Sequence, residues 1–177
     1  MDKERGVQYA KILYDKPVEK FLLKLLLSSA KIQSLVIVSP FIGSLSGTRF
    51  ALENLNKRVI KERIPTYVIT REPEDEYHRE GVDVLMKCDY TEVRFNPSIH
   101  AKLYVCMCAS SSDSFALFGS GNLTRASVER NIELGMMVFG IGQGRYVINE
   151  LYRWGMVRLR TLPGSKLVKR IQSKRRI

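Results

Sequence analysis

Histidine is nearly absent from this 177-residue sequence: only His78 and His100 occur. Two imidazoles are too few for a His-rich metal cluster, and no HExxH or CxxC pair supplies zinc-ligand spacing. The expectation is no metal and no cofactor. Cysteine is scarce as well, and odd in number, with Cys88, Cys106 and Cys108. Two of the three sit in an apolar run, which argues for buried free thiols in a reducing compartment over a disulfide framework. Long apolar stretches are missing too. The run Phe21–Leu27 is interrupted by Lys24 and too short to span a bilayer, and no signal-peptide apolar core follows Met1–Arg5. These absences predict a soluble cytoplasmic chain without stable membrane insertion. Acidic residues form the last shortage, 18 against 29 Lys and Arg, for a net charge of +11 and a pI near 9.7. That imbalance favours a polyanionic partner, either nucleic acid or an anionic membrane surface. Residues 161–177 concentrate it in a basic C-terminal tail that carries Lys166, Lys169, Arg170, Lys174, Arg175 and Arg176 and no acid.

What is present fits one domain over residues 1–177, without an internal repeat. Pro17 near a helix start, then Val18, Phe21, Leu22, Leu25 and Leu26 at helical spacing, predict a helix over 17–30. The β-branched run Ser34–Ser39 predicts a strand buried on both faces, ending at Pro40-Phe41-Ile42-Gly43. Further patterning predicts helices over 47–62, 75–87 and 144–158, the last carrying Trp154, and strands over 66–70, 90–95, 99–108, 114–119 and 131–140. Ser110–Asp113 is a turn, so the strands on either side of it should form a hairpin. The expected fold is α/β: a mixed, largely parallel β-sheet flanked by helices on both faces.

One constellation carries chemistry: His100-Ala101-Lys102, then Gly119-Ser120-Gly121-Asn122, then Asn131-Ile132-Glu133. If 99–108 is a strand, His100 and Lys102 share a face with Cα atoms about 6.5–7 Å apart. An imidazole could then face a phosphorus while an ammonium holds one of its oxygens, and phosphoryl transfer relies on such positioning and charge stabilisation. Ser120 and Asn122 could hydrogen-bond the same phosphate, with glycines allowing close backbone approach. A helix over 123–129 would add free amides, with Arg125 as a further phosphate ligand. On a strand Asn131 and Glu133 share a face, and a carboxylate on one imidazole nitrogen leaves the other free to attack.

These residues resemble the phospholipase D superfamily, whose pattern is HxK-x4-D followed by GSxN. His100, Lys102, Gly119, Ser120 and Asn122 match that pattern, and the family's downstream glutamate falls on Glu133. The similarity covers residues 99–138 and is greatest to the single-motif, nuclease-like branch; Ser39-Pro40-Phe41-Ile42 also resembles the end of an early central strand. The family aspartate would fall on Met107, a departure that weighs against lipid hydrolysis.

The resemblance implies a phospholipase D-like α/β/α sandwich and metal-independent, two-step catalysis. His100 would form a phosphohistidine. Lys102 and Asn122 would hold phosphate oxygens with help from Ser120, and Glu133 would orient His100. The family protonates the leaving group from a second HxK histidine, whereas His78, in Tyr77-His78-Arg79, reads as a satisfied surface residue. The second His100 must therefore come from another copy, which implies a two-fold homodimer. The expected activity is an endonuclease acting on DNA in preference to RNA, with Lys166, Lys169 and Arg170 contributing to backbone binding. The alternatives are a phospholipid phosphodiesterase of the same superfamily and a non-catalytic nucleic-acid-binding module.

Overall fold

In a computed structural model, which describes residues 8–172, the apolar runs become eight strands of one sheet. In chain order they are β1 (Ala10–Leu13), β2 (Ile32–Val38), β3 (Thr66–Thr70), β4 (Thr91–Phe95), β5 (Leu103–Cys108), β6 (Phe115–Gly119), β7 (Gly135–Phe139) and β8 (Lys166–Lys169). The helices are α1 (Pro17–Leu27), α2 (Leu52–Glu62), α3 (Glu76–Met86), α4 (Arg125–Glu129), α5 (Gly144–Arg153) and α6 (Leu159–Thr161). A π-helical segment, Trp154–Arg158, joins α5 to α6. Across the sheet the strand order is β1-β7-β6-β5-β2-β3-β4-β8.

The sheet is mixed, as expected, but not largely parallel. Only β2–β3 and β3–β4 pair in parallel, where α2 and α3 supply crossovers; every other neighbour pair is antiparallel. The short link 109–114 permits only a hairpin between β5 and β6, and the expected hairpin is present.

Helices cover both faces. On one, α1 buries Val18, Phe21, Leu22 and Leu25, and the Phe21 ring packs 5.5 Å from Tyr104 and 5.2 Å from Phe115. The same layer holds Leu55 and Val59 of α2 and Val82 and Leu85 of α3. On the other face, Ile148 of α5 and Leu159 of α6 pack on Val36, Val38, Val105 and Ala116. β2 feeds both layers, which explains its unbroken apolar run. Cys88, Cys106 and Cys108 are buried free thiols in the first layer. Among the described residues, no helix is long and apolar enough to cross a membrane.

Two strands are shorter than their sequence patterns. β5 begins at Leu103 rather than residue 99, because its pairing with β2 starts at Leu103↔Val38. Residues 96–102 instead cross the ends of β3 and β2 to bring the chain from β4 to β5. β7 begins at Gly135, so Asn131 and Glu133 lie in the loop after α4. Two strands were not anticipated: β1, and β8 inside the basic tail. Lys174, Arg175 and Arg176 lie outside the described residues.

Strand direction positions the site. β2, β3, β4 and β6 run one way, and β5 and β7 run the other. The exits of the first set and the entries of the second therefore share one edge, the region where α/β sheets place ligands.

Candidate active site

His100 and Lys102 ride on the crossing segment, which is pinned to the sheet edge. Asn96 N–H donates to the Thr70 carbonyl at 2.9 Å, and the Asn96 side chain accepts from Ser98 N–H at 2.9 Å. Arg71 Nε donates to the Ile99 carbonyl at 3.0 Å, one residue before His100, and its guanidinium lies 5.6 Å from the centre of the Phe41 ring. The imidazole of His100 is exposed and has no hydrogen-bond partner among the described residues. The half-buried Lys102 turns its ammonium back to the His100 carbonyl at 2.9 Å. The two side chains are thus neighbours, but on a loop and not on one strand face.

The Gly-Ser-Gly-Asn turn follows β6 and docks on the segment after β2. Ile42 and Leu123 form a parallel bridge, Gly43 N–H donates to the Leu123 carbonyl at 2.8 Å, and Ser39 Oγ accepts from Leu123 N–H at 3.0 Å. Tyr104 donates its hydroxyl to the Gly121 carbonyl at 2.9 Å, and burial pushes its phenol far above the usual range, so it remains a donor. The glycines serve protein contacts. A Cβ on Gly119 would collide with the Leu134 carbonyl, and one on Gly121 would come within 2.8 Å of Val18.

Glu133 gathers the third segment. Its carboxylate accepts from Ser120 Oγ, from Ser127 Oγ at 3.1 Å and from Asn131 Nδ2 at 3.2 Å. Ser120 Oγ also accepts from Leu134 N–H at 3.1 Å. No hydrogen bond joins Glu133 to His100 within the chain; the carboxylate organises the Ser120–Asn131 side of the site instead. Asn122 is half buried, and its Oδ1 is buried without a partner among the described residues.

The expected free amides at 123–129 are partly taken. Thr124 caps Ser127 N–H, and the Tyr77 hydroxyl accepts from Arg125 N–H at 2.8 Å. Arg125 lies exposed at the rim, paired with Glu129 at 2.7 Å. The remaining basic candidates sit on and beside β8, three strands from β2. Lys166 and Arg170 are exposed, whereas the Lys169 ammonium donates to the carbonyls of Cys88 and Thr91, and burial lowers its pKa. Among the described residues no three His, Cys, Asp or Glu side chains gather as a metal cradle. Ser39, Arg71, Tyr104 and Ser127 escaped the sequence reading because each acts through a backbone or carboxylate contact that only the fold creates.

His78 is satisfied, but it is not a surface residue. It is 2% exposed, its Nε2 lies 2.9 Å from Thr70 Oγ1, and its ring meets Phe41 edge-on at 5.8 Å. Thr70 has one hydroxyl proton, which it donates to the Pro40 carbonyl at 3.1 Å, so the Nε2–H tautomer satisfies both bonds. Burial holds this imidazole below its ordinary range, against the weaker upward pull of Asp75 and Glu74. The native state therefore binds fewer protons here than the unfolded chain. Its contribution to stability is complete above the free-imidazole value of about 6.5 and is lost as pH falls below it. Thermal melts between neutral pH and mild acid should show a falling midpoint, and His78→Gln should flatten that slope. Equal slopes in the two proteins would refute the assignment.

Comparison with solved structures identifies the architecture. A phospholipase D family member, Nuc from Salmonella typhimurium, superposes with a TM-score of 0.61 at 12% identity, covering 91% of this chain and 99% of that one. NucT from Helicobacter pylori gives 0.59 at 13% identity, covering 90% and 98%. TrmBL2, an archaeal chromatin protein described with a novel mode of DNA binding, gives 0.50 at 11% identity, covering 87% of this chain and 54% of that one. No family model and no curated protein sequence matches. The fold is phospholipase D-like.

Proposed function

We propose, from this phospholipase D-like fold, that the chain is a metal-independent phosphodiesterase, an endonuclease acting on DNA in preference to RNA. One observation carries the reading: the HxK loop, the Gly-Ser-Gly-Asn turn and the Glu133 loop meet at one sheet edge, where Gly119 N–H donates to the Lys102 carbonyl at 3.3 Å and Ser120 Oγ donates to Glu133. In the first step an imidazole nitrogen of His100 attacks phosphorus in line, forming the N–P bond as the P–O bond to the leaving alkoxide breaks. Water then displaces the histidine and releases the second product. Lys102 and Asn122 bind the non-bridging oxygens, where charge builds up, while Ser120, whose one hydroxyl proton goes to Glu133, holds the turn that carries Asn122.

The leaving alkoxide needs a proton, and within one chain His78 is buried and occupied. A second copy of His100 supplies it in a two-fold homodimer whose sites lie across the interface. Glu133 provides the carboxylate that orients an imidazole once two copies meet. Ile132, 92% exposed beside Glu133, and the exposed Leu134 are apolar side chains that such a partner would cover. The net charge of +11 favours a phosphate backbone and predicts binding that weakens steeply with salt.

Plasmid DNA incubated with the protein in excess EDTA should be nicked or cut, with light scattering reporting a dimer. Activity that disappears in chelator would overturn the mechanism, and a fully active monomer would overturn the shared site.

A further inference from the structure

A cleft of about 450 Å³ opens beside Asn122, a size typical of sites that take a small organic group. Its walls include Phe41 and Tyr77, which are 42% and 43% exposed, with Arg125 and Arg130 on the rim. What sets these two rings apart from other exposed apolar side chains is that both line one concave site beside a candidate phosphate-binding residue. Tyr77 is held rigidly: its ring lies against Gly43, where a Cβ would collide with it, and its hydroxyl accepts from Arg125 N–H. The hydroxyl oxygen is thus engaged inside the protein, and the ring serves as an apolar wall. Phe41 is braced by the edge contact with buried His78 and by the Arg71 guanidinium over its ring. Arg130 has no ion-pair partner among the described residues, whereas the one acid of the lining, Asp75, is tied up capping α3 through His78 N–H at 2.7 Å. Asn122 borders this cleft, and its buried Oδ1 lacks a donor.

A flat π-system, a phosphate beside it and an N–H donor would satisfy all of these features together. We propose that the cleft receives an unpaired nucleobase of the strand whose phosphate lies at His100, so that the preferred substrate is single-stranded or locally unpaired nucleic acid. This rests on the phosphodiesterase reading of the adjoining site. A base inside a duplex is stacked and cannot enter a cleft walled by Phe41 and Tyr77, whereas base–aromatic stacking tolerates any sequence.

The test uses the full chain carrying His100→Ala, so that bound strands stay intact, in EDTA. Anisotropy compares a labelled oligothymidylate, an abasic strand of the same length and charge, and a duplex of equal length. The base-bearing strand should bind about 5- to 150-fold tighter than the abasic one, the span expected for stacking one base. Phe41→Leu should bring that ratio towards one, and Phe41→Trp should retain it, with thermal melts confirming that both variants fold. Equal affinity for the two single strands, an unchanged ratio in Phe41→Leu, or tighter binding of the duplex would overturn the cleft assignment. Bis(p-nitrophenyl) phosphate, which has no base, separates the two ideas. Failure of the unmodified protein to hydrolyse it refutes the phosphodiesterase reading, whereas the affinity ratio alone decides the cleft.

Discussion

Replacing His100 by alanine should lower chelator-resistant cleavage at least about a thousandfold, because loss of a nucleophile removes the chemical step itself. The side chain is exposed and has no hydrogen bond among the described residues, so its removal leaves no buried group unsatisfied. Melting temperature should therefore stay within the small range of ordinary surface substitutions. DNA affinity should persist, since it derives from charge spread over the surface. Cleavage assays and melts on one preparation check this directly. Retention of more than a tenth of the wild-type rate would exclude His100 as nucleophile.

Glu133→Ala should combine a loss of activity with a loss of stability. Three donors, Ser120, Ser127 and Asn131, converge on the carboxylate, and Ser127 is buried. Truncation strands them, at a cost of about 1–3 kcal/mol, since water can replace only the exposed partners. For a domain of this length that is a fall of roughly 2–12 °C in melting temperature. The 131–134 loop and the Ser120 hydroxyl lose their common anchor, so cleavage should drop about 100-fold or more. Glu133→Gln keeps one acceptor oxygen for Ser127 and Asn131, and Ser120 can reverse its role and accept from the new amide. It should retain most of the stability while losing the charge. Equal melting points for wild type and Glu133→Ala would show that the three contacts contribute nothing.

Much of the architecture was legible in the sequence because long, strongly patterned segments announce themselves. The apolar stripe of α1 and the doubly buried β2 follow directly from residue order. The outer strands did not, because β1 and β8 are four-residue segments whose lysines dilute any pattern. The alternation Ile99, Ala101, Leu103 ran straight through the point where pairing with β2 stops, so the strand was read too long. Parallel pairing was overestimated because apolar runs reveal burial but not direction. The candidate residues themselves could be named from motif and spacing. Their supports could not, since Arg71 on Ile99 or Tyr104 on Gly121 exist only after distant segments meet.

The two flanks of the sheet carry a consequence for assembly. Each ends in a short ribbon bearing ammonium groups, Lys11 on β1 and Lys166 on β8, and such borders are poor templates for another chain to zip onto. Growth sideways into fibres is discouraged by this repulsion between like charges. Among the described residues, neither border offers an uncharged edge on which a further copy could add strand to strand.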